Sequence, residues 1–241
     1  MIATTDDRFL NGRVKIAQFE RGFRSGLDAV MLAAAVPARA NETCLELGCG
    51  AGVASLCLAA RVGGTAITGV EVDSALVELA QTNAKANGLD ATFIEADVFD
   101  LPAALKKDFD HVFLNPPFHD GDAPPDAGRA RALHDGGRLA DWIALAAKRT
   151  ISGGTTSAIT RADRLGEVLG ALPQTGISVF ALWPKANVAA KRVIVQWRKG
   201  AKHPLALLPG LVLHETDGRY TKAADAILRD GAALELHGSA A

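Results

Sequence analysis

The chain has 241 residues, 49% hydrophobic and 22% charged, with a formal net charge of −1. That length is enough to bury a substantial core in one large domain, and the near-neutral balance argues against a general nucleic-acid binder. No apolar run approaches the roughly 18 residues of a membrane helix, and Met1–Arg13 is too polar for a secretory signal.

In chain order, residues 1–25 read as irregular or as short strands, with Arg8, Arg13, Lys15, Arg21 and Arg24 offset by Asp6, Asp7 and Glu20. Ser25-Gly26-Leu27-Asp28 opens an apolar run, Ala29–Val36, that Pro37 stops, the pattern of a short buried helix. Strands and helices then alternate. Thr43–Leu47, Thr65–Val72, Ala91–Glu95 and His111–Leu114 read as strands. Ala51–Arg61 and Ser74–Asn87 read as helices, the second with Ser74 as its N-cap and Gly88 as its stop. Leu101–Lys107 reads as a shorter one. The Gly/Pro/Asp-rich segment His119–Gly136 is a loop long enough to expect a functional role. Arg138–Thr150 and Arg161–Leu172 are helices flanking a strand at Thr155–Thr160. Ser178–Trp183 and Arg192–Trp197 leave no room for a crossover helix, so they pair antiparallel or sit apart. Leu205–Leu213 is a candidate strand and Ala223–Arg229 a last helical turn or two, and the tail from Gly238 reads as disordered. The cysteines, Cys44, Cys49 and Cys57, have neither metal nor disulfide spacing and read as core residues of a reducing cytoplasm.

This alternation predicts an α/β fold. The expected form is a Rossmann-like, doubly wound sheet, mostly parallel, with helices on both faces and one antiparallel member. The expected organisation is a single domain over 1–241: an N-terminal extension with a helix (1–36), a catalytic core (37–200) and a C-terminal appendage (201–241). Ligands of such sheets bind at the carboxyl ends of the strands, and the motifs fall there.

Glu46-Leu47-Gly48-Cys49-Gly50-Ala51-Gly52 is a strand-to-helix turn whose glycines let the backbone bend sharply and approach a ligand. A dinucleotide fingerprint would need glycine where Val53 stands, and Glu46 repels a pyrophosphate while suiting an ammonium or sulfonium. A tight turn without a ligand is the plain alternative. Glu71 ends the second strand, where a carboxylate can accept from both ribose hydroxyls; Asp73 is its rival. Asp97 can accept from an adenine amine while the Val98 backbone N–H donates to a ring nitrogen. Asn115-Pro116-Pro117-Phe118 ends the fourth strand, and its two prolines hold an extended, rigid backbone. An aryl amine has a delocalised lone pair and attacks poorly. Acceptors on its two hydrogens, the Asn115 side-chain oxygen and the Pro116 carbonyl, favour the pyramidal, nucleophilic form, and Phe118 can stack on its ring.

The set Glu46-x-Gly48-x-Gly50-x-Gly52, Glu71, Asp97 and Asn115-Pro116-Pro117-Phe118 resembles the amino-methylating branch of class I S-adenosylmethionine (SAM)-dependent methyltransferases. With Ser25–Leu32 ahead of the turn, the likeness is to the tRNA adenine-N6 methyltransferases of a valine tRNA. It is strongest from 24 to 118. The resemblance implies a seven-stranded sheet with its last strand antiparallel, and SAM as cofactor. It implies cofactor contacts at Gly48, Gly50, Glu71 and Asp97, with Glu46, Val98 and Asn115 as further candidates. Asn115, Pro116, Pro117 and Phe118 would be the target clamp; the family more often has Tyr where Phe118 stands. The implied activity is methylation of an adenine N6 amine in tRNA. Alternatives are the same chemistry on a protein glutamine, a DNA adenine or a small molecule, or a scaffold that binds SAM or RNA without catalysis.

A tRNA partner needs a place for its backbone. Lys185, Lys191, Arg192, Arg198, Lys199 and Lys202 lie in a stretch, 184–214, without an acid, and read either as that patch or as a solvated sheet edge. Arg129, Arg131 and Arg138 read as loop arginines, and His119 and His134 as surface histidines near the clamp. Trp142, Trp183 and Trp197 read as core or sheet-face residues, and no cluster has metal-ligand spacing. The expected location is cytoplasmic.

Overall fold

The computed structural model describes residues 3–117 and 138–236. At its start β1 (Thr4–Phe9) and β2 (Val14–Phe19) pair as an antiparallel hairpin apart from the main sheet. Every second residue of β2 is buried, namely Val14, Ile16 and Gln18, the period-2 pattern of a strand with one covered face. The open edge of β2 is covered by two side chains one helical turn apart. Asn83 Oδ1 accepts from Ala17 N (2.9 Å) and its Nδ2 donates to Ala17 O (3.0 Å); Asn87 treats Lys15 in the same way. A carboxamide carries a donor and an acceptor like a peptide group, so the two stand in for a missing strand.

The main sheet runs β10-β8-β9-β7-β6-β3-β4-β5, eight strands among the described residues. They are β3 (Thr43–Leu47), β4 (Ala66–Glu71), β5 (Thr92–Glu95), β6 (Phe109–Leu114), β7 (Thr150–Arg161), β8 (Ile177–Trp183), β9 (Arg192–Arg198) and β10 (Ala206–Val212). The five strands β3 to β7 are parallel, β9 is antiparallel to both β7 and β8, and β10 is parallel to β8. The reversed strand is therefore β9 alone, and β10 makes the sheet one strand wider than the implied seven. One face carries α1 (Leu27–Ala35), α2 (Val53–Arg61) and α3 (Ser74–Asn87); the other carries α4 (Leu139–Lys148) and α5 (Leu165–Gly170), each over its own apolar cluster. The last helix, α6 (Lys222–Leu228), adds Ala224 and Ile227 to the core beside α1.

Several expected boundaries move for local reasons. The cap of α3 is Asp73, whose carboxylate accepts from Ala75 N at 2.9 Å, rather than Ser74. Pro102 confines the expected helix at Leu101–Lys107 to a 3₁₀ turn, Ala103–Leu105. The strand expected at Thr155–Thr160 starts at Thr150, because a bulge shifts its pairing with β6 between Phe109↔Thr150 and His111↔Thr155. Expectations for His119–Gly136 and for the tail from Gly238 fall outside the described residues.

Candidate cofactor and target site

Sheet register brings the motifs together. Leu47 of β3 is level with Leu114 of β6 and Val70 of β4, and Glu71 is level with Glu95 of β5. One step further along, Asn115, Gly48, Glu71 and Glu95 form a row across four strand exits. At about 4.8 Å between strands, that row is about 14 Å long.

The turn after β3 is held by Val70 O, which accepts from Gly48 N (2.8 Å) and Cys49 N (3.0 Å). Gly48, Gly50 and Gly52 have φ of 70°, 54° and 84°, the left-handed region that disfavours side chains. At Gly52 a Cβ would also lie 2.8 Å from Phe93 Cζ. Behind the turn, Glu46 is buried, and its Oε2 accepts from Ser55 N (3.0 Å) and Ser55 Oγ (2.5 Å). Burial is the largest influence on this carboxyl and pushes its pKa up to about 8, against the pull of Ser55. In the unliganded chain it is therefore a mostly neutral acid at pH 7, not a standing countercharge.

Glu71 bridges the turn and its own strand exit. Its Oε2 accepts from Gly50 N (3.0 Å), and its Oε1 accepts from Val72 N (2.8 Å) and Asp73 N (3.1 Å). Burial raises its pKa while those three bonds pull it back. Asp73 caps α3 through one bond, whereas Glu71 ends β4 in the row of strand exits. Asp97 accepts from Phe99 N (2.9 Å) and so caps the 3₁₀ turn Val98–Asp100, with Val98 buried beneath it.

At the exit of β6, Asn115 and Pro117 are half-buried and Pro116 is buried. Asn115 Oδ1 is a buried acceptor without a hydrogen-bond partner among the described residues. Such an orphan costs about 1–3 kcal/mol, and it sits beside the glycine turn. Phe118, the last clamp residue, lies outside the described residues, as do Arg129, Arg131, His119 and His134.

Sequence reasoning missed three neighbours of this row. Ser55 gives no local signal, since its partnership with Glu46 exists only once α2 folds back. Phe99 meets the Trp142 indole edge to face (centroids 5.6 Å apart, interplanar angle 80°), and the Arg138 guanidinium lies 3.5 Å from the centroid of the Phe99 ring. Trp142 could have been noticed. The buried residues of α4 are Leu139, Ile143 and Ala146, and Trp142, at the edge of that same face, is only half-buried, the sign of a large ring that reaches beyond the core.

The basic stretch divides. β9 separates Arg192 from Arg198 by about 20 Å, so Lys185, Lys191 and Arg192 stand at the carboxyl end of the sheet and Arg198, Lys199 and Lys202 at the other. Lys199 Nζ donates to Thr150 O (2.6 Å) at that far end. At the carboxyl end Arg138, Arg161, Arg164 and Arg192 already meet Asp141, Asp163, Glu167 and Asp28. A single continuous basic patch does not form, because a strand that traverses the sheet delivers its two ends to opposite edges. Among the described residues there is no cluster of His, Cys, Asp or Glu able to hold a metal, and no helix is long and apolar enough to cross a membrane.

Residues 26–140, from α1 into α4, match the family model described as Methyltransferase small domain. The ribosomal RNA small subunit methyltransferase C of Salmonella paratyphi B is 34% identical over 125 residues, which are 48% of this chain and 36% of that protein. The chain thus spans little more than a third of that relative's length. A predicted O-methyltransferase from Agrobacterium tumefaciens superposes with a TM-score of 0.70 at 27% identity, over 86% of this chain and 98% of that one. A Thermus thermophilus 16S rRNA guanine-N2 methyltransferase, solved with AdoMet and guanosine, gives a TM-score of 0.55 at 23% identity, over 83% of this chain and 51% of its own.

Proposed function

We propose that this chain, a class I SAM-dependent methyltransferase in fold and motif, methylates an exocyclic amine of a purine base in RNA. The observation that carries the reading is the buried Asn115 Oδ1 beside the glycine turn, unpartnered among the described residues. The residues present fit SAM: a turn whose three glycines leave its surface bare, Glu71 for the ribose, and Asp97 with Val98 for the adenine. Bound there, SAM supplies an electrophilic methyl group on a sulfonium.

The chain's own residues position the nucleophile. Asn115 Oδ1 and the Pro116 carbonyl each accept one hydrogen of an –NH₂ group. That draws the nitrogen lone pair out of conjugation and disperses positive charge as the new bond forms. Two acceptors suit an amine, whereas a hydroxyl has one hydrogen to offer. This favours nitrogen as the target, although a structural relative is named a predicted O-methyltransferase. No strong base is required, and orientation carries most of the rate. Pro116 and Pro117 keep the carbonyl fixed, and Phe118 is assigned to stacking on the splayed base.

Adenine N6 in tRNA is the first target, implied by the resemblance of the Asn115–Phe118 and Ser25–Leu32 segments. Guanine N2 in ribosomal RNA is the second, since one relative is named for ribosomal RNA and one structure of the same fold for guanine N2 of 16S rRNA. Both place the reaction in the cytoplasm. Nucleoside mass spectrometry of tRNA and rRNA, from cells with and without the gene, separates them. Loss of N6-methyladenosine from tRNA supports the first, and loss of N2-methylguanosine from rRNA the second. Unchanged RNA alongside a methylated protein or small molecule overturns both. SAM binding without transfer to any of these pools leaves the scaffold.

A further inference from the structure

Resting on the cofactor reading above, we infer that Trp142 is a cofactor-positioning residue: its indole and the Phe99 ring form one aromatic wall along the nucleoside side of the site. Three contacts place it there. A Cβ on Gly48 would stand 3.2 Å from Trp142 Cη2 and 3.3 Å from Cζ3, so the indole lies against the first glycine of the turn. The same indole meets Phe99 edge to face, two residues beyond Asp97. Arg138 covers the Phe99 ring and is held by Asp141 at 3.0 Å.

Gly48 leaves β3 and Phe99 follows β5, with the Glu71 exit of β4 between them. Those exits lie about 10 Å apart, a gap that one indole and one phenyl ring span together. The wall thus runs over the three strand exits that carry the ribose and adenine candidates. Trp142 is half-buried, at the edge of the apolar face that α4 lays on the core, and its ring tip extends past that face to the glycine turn. An aromatic wall offers a purine a stacking partner that aliphatic side chains cannot match. It also gives position 48 a second reason to be glycine, since any side chain there would push the indole out of line.

The test uses S-adenosylhomocysteine as probe, titrated into the full chain by calorimetry and, separately, by intrinsic fluorescence. Wild type should bind it with a change in tryptophan emission. Trp183 and Trp197 stand on β8 and β9, beyond β7 and β6, so the signal should come from Trp142. Trp142→Phe should keep calorimetric affinity within about threefold and lose the emission change. Trp142→Ala should weaken binding about tenfold while its circular dichroism stays native. Wild-type emission changes that persist in Trp142→Phe, or unaltered affinity in a folded Trp142→Ala, overturn the wall while leaving the cofactor reading intact. If wild type takes up no S-adenosylhomocysteine in the calorimeter, the cofactor reading itself fails, and the wall with it.

Discussion

Asn115→Ala separates stability from function in opposite directions. Among the described residues Asn115 Oδ1 is buried without a partner, a state that costs about 1–3 kcal/mol. Truncation removes that penalty and a few packing contacts. The net expectation is an unfolding free energy unchanged or raised by about 1 kcal/mol, which for a chain of this size moves Tm upward by about 2–4 °C. Under the clamp reading the same oxygen is one of two acceptors on the amine. Losing one preorganised dipole at a reacting centre costs about 10²–10³ in kcat, or about 2.7–4 kcal/mol. Differential scanning calorimetry of the unliganded variant, calorimetric titration with S-adenosylhomocysteine and methyl transfer to bulk tRNA and rRNA make the three readouts. Tm should hold or rise, affinity should stay within about threefold, and turnover should collapse. Asn115→Asp keeps an acceptor oxygen and should retain more turnover than the alanine variant. A Tm drop of several degrees in Asn115→Ala would mean that the amide is a structural strut. Turnover within threefold of wild type would refute the clamp outright.

The glutamate behind the glycine turn sets a pH dependence. Burial lifts the Glu46 carboxyl to about 8 from about 4.3 in the unfolded chain, so the folded state holds the proton between those values. That contribution is complete below about pH 4 and is lost as pH rises toward 8; Glu46→Gln should flatten the fall in denaturant midpoints between pH 5 and 8, and an unchanged slope would contradict the burial argument. Gly52→Ala forces φ = 84° on a side chain whose Cβ meets Phe93 Cζ at 2.8 Å, and left-handed strain alone costs about 1–2 kcal/mol. Urea titration should show at least that loss, and S-adenosylhomocysteine affinity should fall with it. Under the RNA reading, Lys185→Glu with Lys191→Glu should weaken RNA binding and lower the salt slope by about two. Lys202→Glu, at the far end of the sheet, should leave gel-shift affinity unchanged; equal losses from both ends would restore the continuous patch.

The fold was readable in the sequence because its cues are local. Period and punctuation placed β3 at Thr43–Leu47 with both bounds right, and the absence of a crossover between Trp183 and Arg192 left β8 and β9 to pair antiparallel or sit apart, of which the first is found. The hairpin of residues 4–19 was harder. What stabilises its open edge is a pair of asparagines on α3, about 70 residues later in the chain, and no window along the sequence connects them. The eighth strand was visible as a candidate at Leu205–Leu213. It pairs with β8 over Ala206–Leu208, and its register then shifts between Leu208 and Leu211, at Pro209 and Gly210, which no periodicity foretells.

The site divides along the same line, and the division explains which expectations needed three dimensions. Residues chosen because they end a strand, Gly48, Glu71, Asp97 and Asn115, reach one edge of the sheet together because parallel strands in register share their exits. Direction along the chain translates directly into position for such residues. Charge does not behave this way. Six basic residues close in sequence are carried to opposite ends by a strand of seven, while Arg138, Arg161, Arg164 and Arg192 at the carboxyl end are matched by carboxylates from α1, α4, the β7–α5 connection and α5. Among the described residues of the 184–214 stretch, the attraction of this face for a phosphate backbone therefore rests on Lys185 and Lys191, not on the density of Lys and Arg in the sequence. Under the RNA reading, a strand held there by few phosphate contacts must be recognised mainly through the base that enters the site. The cost of a poor fit then falls on the Asn115 acceptor, which has no other hydrogen bond to make among the described residues.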